Sequence, residues 1–305
     1  MIPFLALLVL QSPVPVFKGP VTSVAMLSDG KVVASGEGGA AIVGGTVVRR
    51  FLTQFPKAHG VALTSDESLL FVVGGVAGES GGVEVFDFAT GARQAEASGH
   101  YDSAMSVAVQ SSRKWVATGG ADAVVRVYEY SHRGATLRAI AELTGHSGPV
   151  LCMGFLPGGD LVTAGRDGTL RVWDVATGAL LRSLSFHTGP VNAVAFPGLV
   201  HGTPWCATAS DDRTVRVWQP GIGRMVRILR GADSPLLSLA MVPDGSRLLV
   251  GGSDGLVRLL PSEGGEPLAT WTVSGEWATS LGVSWNGKRA AVGASDGSVR
   301  FIDLP

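Results

Sequence analysis

Five aspartates recur at nearly equal intervals along this chain, and this periodicity limits the available folds more than any other feature. The intervals are 45, 45, 42 and 42 residues between Asp122, Asp167, Asp212, Asp254 and Asp296. Each aspartate begins a similar phrase, clearest as Asp-Gly-Thr-Leu-Arg-Val-Trp at 167–173 and Asp-Arg-Thr-Val-Arg-Val-Trp at 212–218. A period of about 40 to 45 residues is typical of four-stranded propeller blades rather than helical repeats. The sequence therefore predicts an all-β repeat array closed into one domain.

The composition agrees with many short strands and argues against a polyanion partner. Glycine accounts for 43 of the 305 residues and charged residues for only 16%, as expected where tight turns need a residue that tolerates positive φ. The net charge is −1, and no basic run is present. We therefore expect neither nucleic-acid binding nor electrostatic attachment to an anionic membrane.

Aligning the repeats predicts a seven-bladed β-propeller of four-stranded antiparallel blades over residues 13–305. The blades are placed at approximately 19–53, 54–98, 99–144, 145–186, 187–230, 231–272 and 273–305. The last repeat ends after its third strand, so residues 13–18 are expected to supply the missing outer strand. This N-terminal strand would complete the last blade and protect an otherwise open sheet edge.

Two repeats carry four polar or aromatic side chains at matching positions. They are His146, Thr163, Asp167 and Trp173 in one repeat, and His187, Thr208, Asp212 and Trp218 in the next. At these spacings an indole N–H, a hydroxyl, an imidazole and a carboxylate can link in series, which would satisfy buried polar atoms and stiffen a blade.

This pattern resembles the structural tetrad of the WD-repeat (tryptophan-aspartate) β-propeller family, over about residues 13–305. The resemblance implies that the tryptophan donates to the threonine, which meets the histidine, which bonds the aspartate. Other repeats depart from the pattern. Repeat three has Tyr128 at the tryptophan position, repeat six has Ala232 for the histidine and Leu260 for the tryptophan, and repeat seven has Ile302 for the tryptophan. We expect those tetrads to be incomplete.

The same residues give no indication of catalysis or of a bound cofactor. A histidine beside a threonine and an aspartate can form a catalytic triad, but a set that repeats with the blade period and is expected to be buried lacks an exposed nucleophile. Cys152 and Cys206 have no metal-ligand or haem-attachment spacing. They are interpreted as two small buried residues, with a disulfide as the alternative. We therefore predict no catalytic residue, metal or cofactor.

An apolar run, Ile-Pro-Phe-Leu-Ala-Leu-Leu-Val-Leu, occupies residues 2–10. It is shorter than the ~18 apolar residues that a membrane-spanning helix requires, so no stable membrane span is expected. The run is similar to a secretory signal, although no basic residue precedes it and no Ala-x-Ala site follows. We predict a signal peptide or apolar N-terminal tail over 1–12 and an exported protein, whether periplasmic, envelope-associated or secreted. The alternative is a cytoplasmic protein in which the run forms an extra strand or flap.

The family resemblance implies a non-catalytic scaffold that binds a protein or peptide through one face. In such propellers that face is built by the turns that precede the first strands and by those between second and third strands. Tyr101, Arg166 and Trp277 fall in these turns, and these residue types dominate interface energetics. They are our candidate anchors, in a chain expected to be a monomer in isolation.

A second hypothesis is an exported propeller enzyme, or a propeller that binds a metal or small molecule in its central channel. It would need unlike carboxylates and histidines converging on the channel. Metal analysis of the purified protein separates the two hypotheses, because a stoichiometric metal would favour the second.

Overall fold

The computed structural model describes residues 11–131, 133, 135–198, 204–273 and 275–305. Within these ranges the chain forms short strands joined by turns, with one 3₁₀ helix at Pro220–Ile222. No helix in the described ranges is both long and apolar enough to cross a bilayer.

The strands follow one another with short connections, as the glycine-rich turns predict. The first seven are β1 (Val14–Pro15), β2 (Ser23–Met26), β3 (Val32–Val43), β4 (Val47–Leu63), β5 (Leu69–Val76), β6 (Ser80–Asp87) and β7 (Arg93–His100). The next eight are β8 (Ala104–Gln110), β9 (Trp115–Gly120), β10 (Val124–Tyr130), β11 (Leu137–Thr144), β12 (Val150–Phe155), β13 (Leu161–Gly165), β14 (Leu170–Asp174) and β15 (Ala179–Leu184). The last eleven are β16 (Val191–Ala195), β17 (Cys206–Ser210), β18 (Val215–Gln219), β19 (Arg224–Leu229), β20 (Leu236–Met241), β21 (Arg247–Gly252), β22 (Leu256–Pro261), β23 (Ala269–Thr272), β24 (Ala278–Val283), β25 (Arg289–Ala294) and β26 (Ser298–Asp303).

These strands pair into six antiparallel sheets. Sheet A has the order β1-β26-β25-β24, and sheet B is six-stranded, with β2 to β7 in order. Sheets C, D, E and F contain β8 to β11, β12 to β15, β16 to β19 and β20 to β23, respectively.

The prediction of seven four-stranded blades is therefore wrong, because the described strands form six blades, one of them six-stranded. The difference arises at β4, a 17-residue strand that pairs with β3 on one side and β5 on the other. Lys57 within it faces both Glu37 and Gly75. The junction Thr53-Gln54-Phe55-Pro56 lacks the glycine found at every other junction between repeats, so nothing there forces the chain out of an extended conformation.

The two chain ends meet in sheet A, as expected for a closed ring. Val14 pairs with Val299 and Pro15 with Ser298. The backbone N–H of Gln11 donates to the carbonyl of Phe301 at 3.2 Å, and Val16 is buried. The N-terminal strand thus covers the edge of β26, and this part of the prediction is confirmed.

The innermost strands surround a narrow central channel. Sheet B contributes β2 and β4 to the channel wall, and each of the other sheets contributes its innermost strand. The second strand of a sheet is buried throughout, as in β13, whereas the outer strand β15 is largely exposed. The apolar core therefore lies between neighbouring sheets, on both faces of the middle strands.

Polar side chains along the channel wall link sheets C to D, E to F, F to A and A to B, and one further bond lies within sheet B. Their hydroxyl or amide groups donate to a backbone carbonyl of the following inner segment, which is the first carbonyl of the strand in β12, β20 and β24. These bonds are Ser106 to Val150 at 2.9 Å, Asn192 to Leu236 at 2.8 Å, Ser238 to Ala278 at 2.7 Å, Thr279 to Val21 at 2.6 Å and Thr22 to Ala58 at 2.7 Å. Each bond gives a partner to a carbonyl at the channel wall, which helps to fix the neighbouring sheets against one another.

Candidate functional site

Two sets of turns meet at one end of the propeller. Backbone hydrogen bonds join the turn before an innermost strand to the turn after the second strand of the same sheet. They run from Arg166 to Pro149 at 2.9 Å, from Asp211 to Pro190 at 3.0 Å, from Ser253 to Pro235 at 3.0 Å and from Ser295 to Trp277 at 3.1 Å. We call the surface built by these turns the Trp277 face, and the opposite end, which carries Trp285, the Trp285 face.

All three candidate anchors lie on the Trp277 face. Tyr101 is 79% exposed and Trp277 is 55% exposed, and the side chain of Arg166 is also exposed. The guanidinium of Arg126 lies 5.9 Å from the centre of the Tyr101 ring, which limits the freedom of that ring. Large aromatic groups held in place on a rigid surface are well suited to bind a partner, because little conformational entropy is lost.

The channel opens on this face into a depression of about 360 Å³. Its wall is mainly apolar, with some polar side chains and Trp277 at one side. The lining residues are Pro20, Val21, Thr22, Lys57, His59, Met105, Leu151, Asn192, Leu237, Trp277 and Thr279. Tyr101 lies in the turn before β8 of sheet C, Arg166 in the turn after β13 of sheet D, and Trp277 in the turn before β24 of sheet A. Trp277 lines the opening, whereas Tyr101 and Arg166 lie in other turns of the same face, so the three anchors do not form one contiguous cluster.

His59 is the one titratable ring in this opening. Burial lowers the pKa of its imidazole to about 4, with a further lowering by the charge of Lys57 and an opposing effect of Asp102. The ring is consequently neutral at physiological pH. Sequence reasoning did not select His59, since its place at the channel opening depends on which side of β4 faces inward.

The tetrad residues of sheet D lie in one hydrogen-bonded series. The indole Nε1–H of Trp173 donates to Thr163 Oγ1 at 2.8 Å, and Thr163 Oγ1 lies 2.8 Å from His146 Nε2. His146 Nδ1 lies 2.8 Å from Asp167 Oδ2. Asp167 also accepts from the backbone N–H groups of Ser147 and Thr169, so its carboxylate joins the two turns of the Trp277 face.

Sheet E repeats this arrangement with nearly the same distances. Trp218 donates to Thr208 at 2.9 Å, Thr208 lies 2.7 Å from His187 Nε2, and His187 Nδ1 lies 2.8 Å from Asp212 Oδ2. Since the threonine oxygen accepts from the indole, its own proton is available for Nε2. The histidine is then neutral, with its proton on Nδ1 directed at the carboxylate.

The remaining sheets hold incomplete versions. In sheet C, His100 bonds Thr118 and Asp122, while Tyr128 replaces the indole donor. Sheets F and A keep the aspartate but have Leu260 and Ile302 at the tryptophan position. Asp254 and Asp296 each bond a nearby backbone N–H, that of Leu256 and Ser298, respectively. The turn geometry therefore does not depend on a full tetrad.

An arginine four residues after each aspartate completes these turns. The nitrogen-to-oxygen distances are 3.0 Å for Arg126–Asp122, 3.7 Å for Arg171–Asp167, 3.4 Å for Arg216–Asp212, 2.7 Å for Arg258–Asp254 and 2.9 Å for Arg300–Asp296. Sequence reasoning missed this pair, although Asp-x-x-x-Arg recurs in all five phrases. Each arginine lies on the third strand, directly after the turn that holds its aspartate, and its side chain is at most 12% exposed. At such low exposure a paired charge is much less costly than an isolated one.

No accessible nucleophile results from these contacts. Thr163 and Thr208 are fully buried, and their hydroxyl groups are engaged by both neighbours. Cys152 and Cys206 are free and buried, and burial raises the pKa of both thiols, which disfavours the reactive thiolate. In the described ranges no three His, Cys, Asp or Glu side chains are grouped as metal ligands.

The buried histidines predict that stability falls with acidification below neutral pH. Burial lowers the pKa of His59, His100, His146 and His187 below the usual value of 6.5. The unfolded chain therefore binds protons at a pH where the folded chain does not, so lowering the pH through 6.5 favours unfolding.

We expect the free energy of unfolding to fall by roughly 1 to 2 kcal/mol between pH 7 and pH 5. Urea titrations at both pH values measure this change. His59→Gln should reduce it, because that variant removes one of the four groups. Equal stability at pH 7 and pH 5 would contradict the neutral state of these rings.

Comparison with known proteins identifies repeats of one family along much of the chain. The pattern described as "WD domain, G-beta repeat" matches residues 91–129, 137–174, 178–219 and 223–259, just over half of the sequence. Guanine nucleotide-binding protein subunit beta-1 of Caenorhabditis briggsae is 34% identical over 91 residues, which is 30% of this chain and 27% of that protein. The Drosophila melanogaster protein of the same name is 34% identical over 104 residues, 34% of this chain and 29% of that protein. The chain thus matches less than a third of the length of these relatives.

These comparisons correct the expectation of export. The two relatives are guanine nucleotide-binding protein subunits, and their similarity does not support an exported protein. Residues 1–10, on which the signal-peptide prediction mainly depends, lie outside the described residues. The resemblance to WD-repeat propellers, in contrast, is confirmed by the four matched repeats: the chain belongs to the WD domain, G-beta repeat family.

Proposed function

We propose that this protein is a non-catalytic scaffold that holds a protein or peptide partner on the Trp277 face. The observation that carries the proposal is the exposed indole of Trp277 beside an apolar channel opening of about 360 Å³. An apolar side chain of a partner would fill this opening, while the surrounding turns contact its backbone. A buried anchor within a polar rim is the arrangement that gives protein interfaces most of their affinity.

The charges on this face support a protein partner rather than a polyanion. Lys57 and Arg166 are exposed on it, and so are Glu37 and Asp233. Mixed charges orient a protein partner and discourage wrong ones, whereas a nucleic acid requires a continuous basic surface. The two relatives are named as subunits, which is consistent with a role in an assembly.

The proposal predicts that two substitutions on the Trp277 face weaken partner capture without unfolding the protein. Arg166→Glu combined with Trp277→Ala removes two of the three candidate anchors and reverses the charge of one, at exposed positions outside the sheet cores. Each hot-spot truncation commonly costs ~2 kcal/mol, so the double variant should retain less than about a tenth of the captured partner. The measurement is quantitative affinity capture of the tagged protein after crosslinking in its native cells.

A matched control lies on the opposite surface. Trp285 is 67% exposed and neighbours the exposed Lys288, so Lys288→Glu with Trp285→Ala makes the same kinds of change on the Trp285 face. We expect this control to capture the partner as the wild type does. Loss of capture in the control alone, or equal capture by all three proteins, would refute the proposal.

A further inference from the structure

Sheet F lacks three of the four tetrad side chains, and their loss leaves a cavity. Ala232, Val250 and Leu260 stand where sheet D has His146, Thr163 and Trp173. The space between sheets E and F measures about 160 Å³. Its wall consists of Arg213, Val215, Leu229, Arg230, Gly231, Ala232, Leu236, Val250, Arg258, Leu260, Gly265, Glu266 and Pro267. All three replaced positions contribute to this wall, so the cavity is a direct consequence of the replacements.

Neighbouring sheets show why the space stays open. In sheets D and E an imidazole and an indole occupy the corresponding volume, held in place by the threonine between them. Leucine and alanine are much smaller than these rings. The strands on either side are fixed by their ladders and by the hydrogen bonds that join sheet F to sheets E and A, so they cannot close in to fill the difference.

The cavity wall contains buried apolar side chains and one guanidinium, that of Arg258, with an unsatisfied N–H group. Leu229, Leu236 and Val250 are buried. The Arg258 side chain is only 12% exposed, and its Nη2 donates to Asp254 at 2.7 Å. Its Nη1 is buried and has no hydrogen-bond partner among the described residues. A buried N–H without an acceptor is costly, so this atom favours a ligand that supplies one.

The charges around the cavity specify the kind of acceptor. Three arginines and a single acid, Glu266, contribute to the wall. An anion is therefore favoured over a neutral or cationic ligand, and a carboxylate matches the donor geometry of a guanidinium.

We infer that this cavity binds a small carboxylate with an apolar body, about the size of benzoate. A cavity of about 150 Å³ with apolar walls is large enough to hold a benzene ring, which is close to the volume between sheets E and F. The ring would contact Leu229, Leu236 and Leu260, and the carboxylate would accept from Arg258 Nη1. This site is separate from the Trp277 face and does not depend on the proposed function.

The test uses the full chain and two probes of similar shape, benzoate and benzyl alcohol. Saturation-transfer NMR and calorimetric titration measure binding of each. Benzoate should bind saturably and at least about ten-fold more tightly than benzyl alcohol, because a hydrogen bond to a charged group contributes ~1.5 kcal/mol or more. No saturable binding of benzoate, or equal affinity for both probes, would overturn the inference.

Three variants locate the site. Leu260→Trp places an indole in the cavity and should abolish benzoate binding. Arg258→Met should weaken benzoate binding about ten-fold and leave the affinity for benzyl alcohol unchanged. Arg171→Met is the matched control, since Arg171 holds the equivalent position in sheet D, where His146 and Trp173 occupy the space. The Arg171→Met variant should bind benzoate with the same affinity as the wild type.

Circular dichroism confirms that each variant is folded before titration. If Arg258→Met does not fold, Leu260→Trp still decides the question. Unchanged benzoate binding in Leu260→Trp, or equal weakening by Arg258→Met and Arg171→Met, would show that the cavity is not the binding site.

Discussion

Asp212→Ala should lower the free energy of unfolding by about 3 to 5 kcal/mol, because it removes one partner of a buried charged network. The Asp212 side chain is almost fully buried and accepts from His187, from the backbone N–H groups of Thr188 and Thr214, and from the Thr214 hydroxyl. These bonds lower the pKa of its carboxyl to about 2, against the opposing effect of burial. The variant leaves these four donors without their acceptor and removes the partner of Arg216 at 3.4 Å. Urea denaturation measures the cost.

Asp254→Ala is the matched control in sheet F. Asp254 begins the equivalent turn, but its carboxylate is more exposed, and Ala232 stands in place of the histidine. We expect a loss of about 1 kcal/mol, mainly from the bonds to Leu256 and Arg258. If the two alanine variants lose equal stability, the histidine-centred network contributes nothing beyond the turn itself.

Deleting residues 1–18 should cost about 4 kcal/mol or more, because it removes the strand that closes sheet A. The deletion exposes the edge of β26 and removes Val16, which is buried and whose N–H donates to the carbonyl of Gly297 at 3.0 Å. It also removes the acceptor for Arg50 Nη2, which donates to the carbonyl of Val16 at 2.8 Å. A buried valine contributes ~1.5 to 3 kcal/mol and each hydrogen bond ~1 kcal/mol.

Deleting residues 1–10 provides the control for this truncation. It keeps β1 and both contacts of Gln11, the one to Phe301 and the one to Arg289. We expect a much smaller loss, because this deletion keeps every contact of the closing strand described above. Equal melting temperatures for the two truncations would refute closure of the ring by β1.

The periodicity of the sequence was sufficient to predict the propeller architecture but not the number of sheets. Each of the five aspartates lies in the turn between the second and third strands of its sheet, so the period of the sequence matches the period of the fold. The pairing across β4 depends on a junction without glycine, Thr53-Gln54-Phe55-Pro56, and on Lys57 meeting strands on both sides. A repeat alignment treats every junction as equivalent, so it placed a blade boundary where the chain continues as one strand.

The candidate site was predictable to different degrees. Turn position together with residue type selected Tyr101, Arg166 and Trp277, since turns that join the strands of a blade lie at its ends. His59 and the apolar channel opening were not predicted, because they depend on which side chains of the innermost strands point inward. The cavity beside Arg258 was not predicted either. Ala232 and Leu260 show in the sequence that a tetrad is incomplete, but only the fixed positions of the neighbouring strands show that the space remains.

The five lysines of the chain allow a direct test of which face binds the partner. Lys18 and Lys57 lie on the Trp277 face, whereas Lys31, Lys114 and Lys288 lie in turns between first and second strands, at the opposite end. The measurement is lysine-directed crosslinking of the partner-bound protein, followed by mass-spectrometric assignment of the linked residues. The account predicts that links to the partner concentrate on Lys18 and Lys57. Links concentrated on Lys31, Lys114 and Lys288 would contradict it.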